Sequence, residues 1–353
     1  MSAALPYSAA MDIGDIHFRR EGRLGRITLN RPKTLNALTH RMCVAMFEQL
    51  RLWRDDPDIG AVVVDAVEGR AFCAGGDIRA IYQMGKRGDG SAAEFFASEY
   101  RLNAAVKHFP KPYIALINGI AMGGGVGISI HGSYRVAAEN ALFAMPETAI
   151  GLFPDVGGTY ALPRLPGALG MYLALTGNRL GPADMRYAKI ATDYVTAAKF
   201  GEIVQRLANG EDADAILLGI AGEPGPPPLA AHRDSIDRAF AQHSVEAILE
   251  ALGQEGEWGR QIADLLSLRS PTSLKLTFRA MRQGRNMDFD SCMRMEYRLT
   301  LRALEGHDFY EGVRAAVIDK DQRPNWQPRS LAAVGDAAIE HYFAALDVTE
   351  LSL

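Results

Sequence analysis

Short apolar runs alternate with helix-length segments over the first two thirds of the chain, and this alternation restricts its folding more than any other feature. Ala61–Val64 and Tyr113–Ile117 are runs of strand length without polar alternation, the pattern of strands buried on both faces. Ile16–Arg20 and Arg26–Leu29 read as a strand pair around Glu21-Gly22, ended by Asn30-Arg31-Pro32. Tyr134–Ala137 and Leu142–Ala144 read as further short strands, and Gly69–Gly76 as a glycine-bearing loop or strand end. Between them Thr39 is placed to cap a helix running towards Trp53, with Met42, Met46 and Leu50 at helical spacing and Asp55-Asp56-Pro57 as its stop. Ala92–His108 reads as a helix, and Ile128 onward as one that starts inside a glycine cluster. Strands with intervening helices predict an α/β fold with mostly parallel pairing.

The remainder changes character. From about Gly167 the pattern is mostly helical, and Gly222–Pro228 is a Pro/Gly stretch that reads as a loop or linker. After it, Ala230–Leu252, Trp258–Leu268, Thr272–Met281 and Phe289–Glu305 each read as helical. No low-complexity segment or short-period repeat stands out.

Composition narrows the function classes. With 353 residues, 48% of them hydrophobic and 23% charged, the chain has the balance of a soluble globular protein with a sizeable core. Length alone allows one large domain or two smaller ones. A net charge of −4 gives no reason to expect nucleic acid or an anionic membrane as partner, and leaves room for a local basic patch facing a phosphate-bearing ligand. Cys43, Cys73 and Cys292 are odd in number and widely spaced, which argues against a disulfide framework or a cysteine-rich zinc site and fits a reducing compartment. No apolar run reaches the roughly 18 residues of a membrane span. The longest candidate, Ile114–Ile130, is interrupted by Asn118 and five glycines. Met1–Gly14 has neither a secretory pattern nor an arginine-rich presequence, so the expected location is cytoplasmic.

Two glycine clusters carry the first chemical signal. They are Ala71-Phe72-Cys73-Ala74-Gly75-Gly76-Asp77 and Asn118–Gly127, each just beyond an apolar run and each leading towards a helix. Consecutive glycines allow φ > 0 and close backbone approach to a ligand. At a helix start the first N–H groups lack internal partners and the dipole favours negative charge. Two such turns facing each other would form an oxyanion hole for a thioester oxygen, each donor being worth ~3–4 kcal/mol in the transition state. Glycines that serve only tight turns and strand–helix packing would give the same spacing, so the residues alone leave both readings open. The second cluster is no dinucleotide fingerprint, because Ile128 and Ile130 stand where the last glycine is needed, and no Gly-Lys-Ser/Thr follows it.

Asn30-Arg31-Pro32-Lys33-Thr34-Leu35-Asn36-Ala37-Leu38, with Phe72–Asp77 and Asn118–Gly125, resembles the crotonase (enoyl-CoA hydratase/isomerase) superfamily. Phe143–Gly158, Ser270–Lys275, Met295–Leu299, and Gly306–Ala315 with Ile318–Asp321 are similar to one branch of it, the 3-hydroxyisobutyryl-CoA hydrolases. The resemblance runs from about Ile16 to Trp326 and is weakest near Gly222. It implies a crotonase-like α/β spiral of ββα repeats with a mostly helical C-terminal part. The chain then divides into an N-terminal extension (1–15), a core with the CoA-binding and catalytic turns (16–220), a Pro/Gly-rich loop (221–229) and a helical region packing on the core (230–353). The implied reaction is hydrolysis of 3-hydroxyisobutyryl-CoA, and also of 3-hydroxypropionyl-CoA, in valine breakdown. No metal or redox cofactor is implied, coenzyme A entering only as part of the substrate. Family members often form trimers and hexamers, so a homo-oligomer is left open.

The resemblance also assigns residues. The two N–H donors become those of Gly76 and Gly124. Glu147 and Asp155, each following a proline, become catalytic: Glu147 as nucleophile forming a mixed anhydride or as general base on water, Asp155 orienting water or the substrate hydroxyl or assisting proton transfer. On spacing alone Glu147 reads equally as an exposed loop carboxylate, and Asp155 as the N-cap of a helix after Gly157-Gly158. Glu99 joins Gly124, Glu147 and Asp155 around the acyl end, although a salt bridge to Arg101 or Lys107 would explain it as well. Arg31, Lys33, Asn36, Ala37, Gly75, Asp77 and Ile78 fall at the CoA-contacting positions, although Arg31 and Lys33 read equally as solvated basic residues of a turn. His131 reads as a packed histidine, not a base. One departure matters: hydratases place a catalytic glutamate where this chain has Gly127. Hydration or isomerisation of an enoyl-CoA is therefore the alternative that this position weakens, and a non-catalytic acyl-CoA-binding protein is a third. No G-x-S-x-G elbow or H-E-x-x-H helix offers another nucleophile or metal.

Overall fold

The computed structural model describes residues 14–346 and 350–353. The N-terminal stretch read for targeting signals, and most of the proposed 1–15 extension, lie outside the described residues. Among the described residues nine strands form two sheets: β1 (Ile16–Glu21), β2 (Leu24–Leu29), β3 (Ala61–Ala66), β4 (Ala71–Cys73), β5 (Tyr113–Ile117), β6 (Ile120–Met122), β7 (Tyr134–Ala137), β8 (Leu142–Ala144) and β9 (Asp193–Tyr194). The larger has the order β1-β2-β3-β5-β7-β9 and the smaller β4-β6-β8. Of these strand pairs β1–β2 is antiparallel and the others are parallel. The consecutive pairs β3/β4, β5/β6 and β7/β8 each send their first strand to the large sheet and their second to the small one. The chain thus climbs as a spiral in which equivalent turns stack beside one another.

The continuous apolar runs are explained by what covers each face. Val62 and Val64 of β3 and Tyr113, Ala115 and Ile117 of β5 point into the main core. Their neighbours Ala61, Val63, Ile114 and Leu116 point the opposite way, as the two-residue strand period requires. There they meet Ile203, Val204 and Leu207, then Ile216 and Leu217, from two later helices.

The first helices are α1 (His40–Asp55), α2 (Ile78–Arg87), α3 (Ser91–Lys107) and α4 (Gly124–Gly127). Thr39 caps α1 through Met42 N (3.2 Å), as its sequence position predicts. The helix towards which the first glycine cluster leads, given no range in the sequence reading, is α2, which Asp77 caps through Ala80 N (3.3 Å). The helix expected from Ile128 onward is a correction: the single turn α4 ends there. Ser129 Oγ bonds back to the Gly125 and Val126 carbonyls (2.8 and 3.1 Å), and the chain turns into β7.

The second half contains α5 (Gly158–Ala161), α6 (Leu169–Thr176), α7 (Pro182–Tyr187), α8 (Phe200–Ala208), α9 (Ala213–Ile220), α10 (Arg233–Phe240), α11 (Val245–Leu252), α12 (Gly256–Ser267), α13 (Pro271–Gly284), α14 (Phe289–Glu305), α15 (Asp308–Val313) and α16 (Asp336–Phe343). The helix read across Ala230–Leu252 is broken, because Ser244 takes an extended backbone and caps α11 through Ala247 N (3.0 Å). One buried apolar cluster runs from Ile16 to Leu351, so the C-terminal helices share the core of the sheets. Within it α14 packs along α3. Among the described residues no helix is long and apolar enough to cross a membrane.

Candidate active site

The two glycine turns follow β4 and β6, neighbouring parallel strands of the small sheet, and so emerge side by side. Gly75 has φ +117°, a conformation that L side chains rarely adopt, and it sits over the second turn: a Cβ there would lie 3.4 Å from Met122 O and 3.8 Å from Gly124 N. A Cβ on Gly124 would lie 3.3 Å from Gly76 N and would collide with Glu99 Oε1. The ladder around them is made by other groups, Leu38 N to Gly75 O (2.8 Å), Asp77 N to Leu38 O (2.8 Å) and Val126 N to Gly123 O (2.8 Å). The N–H groups of Gly76 and Gly124 stand outside these bonds.

The turns line a cleft of about 130 Å³ whose other walls include Ile78, Ile81, Phe96, Leu152 and three carboxylates, Glu99, Glu147 and Asp155. Larger hollows lie on the C-terminal helices, but they contain none of these groups. Glu147 opens a short 3-10 turn (Glu147–Ile150) and is 5% exposed, so the exposed-loop reading of it fails. Its Oε1 lies 3.4 Å from where a Cβ of Gly123 would be, beside the second glycine turn. Glu99, 2% exposed on α3, is buried in the cleft and forms no bridge to Arg101 or Lys107 among the described residues. Asp155 is 4% exposed and does not cap α5, whose N-cap is Gly157 without a side-chain bond. Its Oδ2 accepts instead from Tyr100 Oη at 2.8 Å.

Crowding three carboxylates in a buried cleft disfavours their ionised forms. Burial, and then the Asp155 charge, push Glu99 well above the ordinary carboxylate range. Burial, Asp155 and Glu99 do the same to Glu147. Burial raises Asp155 only to about 6, because the Tyr100 hydroxyl bonds to its anion and holds it down. Asp155 therefore ionises first of the three. Glu99 Oε1 and Glu147 Oε2 are buried without a hydrogen-bond partner among the described residues, and both residues line the cleft.

Gly127, where a hydratase would carry its other glutamate, is closed in. A Cβ there would stand 2.6 Å from Asn103 Nδ2 and 2.7 Å from Val156 Cβ. His131 is packed as expected, its Nε2 bonded to Val156 O at 2.7 Å and burial lowering the imidazole to about 4.

The residues assigned to CoA fall into three groups. Gly75 and Ile78 line the cleft. Asn36 and Arg31 have internal tasks: Asn36 is fully buried, accepting from Arg31 N (2.7 Å) and donating to Ala71 O (2.8 Å). The Arg31 guanidinium bonds the Ala37 carbonyl (2.5 Å) and pairs with Asp77 (3.2 Å), so its charge is already partly met. Lys33 is exposed on the 3-10 turn Pro32–Thr34. Tyr100, Asn103, Glu296 and Thr300, to which the sequence reading assigns no task, are all buried, and Tyr100, Thr300 and Glu296 stand behind Asp155 and the turn that follows it.

A family model described as "Enoyl-CoA hydratase/isomerase" matches residues 24–343. The chain is 49% identical to the "3-hydroxyisobutyryl-CoA hydrolase, mitochondrial" of Xenopus tropicalis, over 96% of this chain and 91% of that protein. The human protein of the same name is 44% identical, over 96% and 90%. Among solved structures, a carnitinyl-CoA dehydratase from Mycobacterium thermoresistibile superposes with a TM-score of 0.90 at 40% identity, covering 96% of this chain and 98% of that one. An enoyl-CoA hydratase from Rhodobacter sphaeroides superposes at 0.88 with 38% identity, covering 96% and 100%.

Proposed function

The chain belongs to the enoyl-CoA hydratase/isomerase family, and on that premise we propose that it hydrolyses 3-hydroxyisobutyryl-CoA to the free acid and coenzyme A, a step of valine breakdown. The observation that carries this reading is one cleft that holds the paired glycine turns together with buried Glu147 and Asp155. Nearly full-length similarity to hydrolases of that name supports it. The names of the two solved structures point to hydration chemistry, but a shared fold does not fix the reaction. At Gly127 this chain has no side chain to act as the second hydratase acid, and Asn103 and Val156 occupy the space in front of it.

In this reading the thioester oxygen sits between the Gly76 and Gly124 N–H groups, which stabilise its negative charge as the carbonyl carbon becomes tetrahedral. Glu147, whose carboxyl is raised by burial well above its ordinary range, attacks that carbon as the anion, its proton passing to the departing sulfur. The C–S bond breaks, coenzyme A leaves as a thiolate that takes up a proton, and a mixed anhydride remains on Glu147. Water then cleaves the anhydride and Asp155 accepts its proton, a task suited to a group poised at about 6. Glu99, across the cleft, holds the acyl end. The chemistry calls for no metal or redox group, and 3-hydroxypropionyl-CoA, one methyl smaller, fits the same reading.

Thiol release from 3-hydroxyisobutyryl-CoA, followed with DTNB, tests the proposal. The expected result is turnover by the wild type and none by Glu147→Gln, with CoA-ester binding retained. Rapid loss of crotonyl-CoA absorbance without thiol release would replace the hydrolase with a hydratase.

A further inference from the structure

Asp155 is held from behind by a helix that never reaches the cleft. Glu296 and Thr300 lie one turn apart on α14, on one face, and both are fully buried. Glu296 reaches the turn that follows Asp155. Its Oε2 accepts from Gly157 N (2.8 Å), and its Oε1 accepts from Thr159 N (3.0 Å) and from the Thr159 hydroxyl (2.5 Å). It thus serves as the cap that Gly157 cannot supply to α5. That turn is strained: Val156 has φ +49°, rare for a β-branched residue, and Gly157 follows at +83°. His131 fastens the Val156 carbonyl from the other side at 2.7 Å.

Thr300 acts on the carboxylate through Tyr100. The Tyr100 hydroxyl lies 2.8 Å from Asp155 Oδ2 and 2.7 Å from Thr300 Oγ1. A phenol has one proton, and an ionised carboxylate only accepts. With Asp155 ionised, Tyr100 donates to Asp155 and Thr300 donates to Tyr100. With Asp155 protonated, the chain can reverse, Asp155 donating to Tyr100 and Tyr100 to Thr300.

We infer that the face of α14 carrying Glu296 and Thr300 is the positioning element for Asp155, Glu296 pinning the strained turn and Thr300 aiming the carboxylate through Tyr100. For catalysis this rests on the role proposed above for Asp155. None of the three touches substrate, so they are positioning residues. The groups that face Asp155 are Glu99 and Tyr100 from α3, Glu147 from its 3-10 turn and Glu296 from α14.

The test uses Thr300→Val, Thr300→Ser, Tyr100→Phe and Glu296→Gln, the last of which sets an NH₂ group against Gly157 N–H. Thr300→Val should lower kcat about five- to tenfold with KM within twofold of wild type, the order expected for one hydrogen bond, and Thr300→Ser should restore it. Glu296→Gln should lower kcat in the same sense if it folds. Carboxyl ¹³C titration, which needs no substrate, should show the Asp155 midpoint moving up in Tyr100→Phe, because a donor to the anion has gone. An unmoved midpoint together with wild-type kcat in Tyr100→Phe would overturn the inference. So would a Thr300→Val loss that Ser does not restore and that matches the unfolded fraction. If the midpoint moves but the wild type releases thiol from no ester, the positioning stands and the hydrolase reading fails.

Discussion

Replacing Asp155 by Asn removes one charge from the cleft and still offers Tyr100 an oxygen to donate to. Burial raises the Asp155 carboxyl from its ordinary 3.8 to about 6. At 1.36 kcal/mol for each tenfold change in proton affinity, the ionised form costs the folded state about 3 kcal/mol. Below roughly pH 4 the folded and unfolded chains both hold the proton, and the cost is absent. Between roughly pH 4 and 6 the folded chain keeps a proton that the unfolded chain gives up, so stability falls as pH rises; above that window the cost is complete. Asp155→Asn should therefore be more stable than wild type at pH 8 by up to about 3 kcal/mol, and indistinguishable from it near pH 4. An unfolding entropy of roughly 2.1 cal/mol/K per residue, taken over 353 residues, is about 0.7 kcal/mol/K, so the gain corresponds to about 4 °C in melting temperature. Calorimetric scans of both proteins at the two pH values measure it, alongside a loss of thiol release. Equal melting temperatures at pH 8, or the same offset at both pH values, would refute the claim that this carboxyl is desolvated.

Gly124→Ala puts a methyl group against Glu99 Oε1 beside the Gly76 N–H, and should cut kcat by about 10²–10³ while far-UV dichroism stays native. Gly127→Ala should destabilise the fold by about 1–3 kcal/mol in urea titration, because its Cβ meets Asn103 Nδ2 at 2.6 Å and Val156 Cβ at 2.7 Å. For the same reason Gly127→Glu should gain no crotonyl-CoA hydration, read as absorbance loss. The pH profile of kcat/KM should rise along an acidic limb at about pH 6 or above, because burial lifts both Asp155 and Glu147 and the reaction needs ionised carboxylate. A limb at the ordinary carboxylate position would contradict the burial of both groups.

The parts of this molecule that are local in sequence were legible there. Thr39, the apolar run of β3 and the helix Phe289–Glu305 depend on neighbours a few residues away, and periodicity or capping announces them. Ser244 carried the same kind of signal, a cap in the middle of an apparently helical stretch, and it went unused. The site was legible only by resemblance. Nothing in the spacing of Glu147 and Asp155 distinguishes a buried cleft from a solvated loop or a helix cap, because their burial is imposed from far away in the chain, by α13 and α15 against the Glu147 turn and by Tyr100 of α3 against Asp155. Glu296 and Thr300 illustrate the limit. Met295–Leu299 stood out as a similarity without a stated task, and that task appears only when Gly157, 139 residues earlier, is placed against it. Asn36 shows the converse: its match to a CoA-contacting position says nothing of the two internal bonds that its amide makes.

The small sheet has a consequence for how such a site tolerates change. A single oxygen held by two N–H donors at about 2.9 Å requires those nitrogens to be no more than roughly 5.8 Å apart, and adjacent strands run about 4.8 Å apart. Because Gly76 and Gly124 follow the adjacent strands β4 and β6, the backbone ladder itself acts as the gauge that sets their separation. Insertions in the loop between α2 and α3, or other changes on the periphery, can lengthen the route without altering that gauge. A slip of β4 against β6 by one residue would break it at once while leaving every side chain of the cleft present.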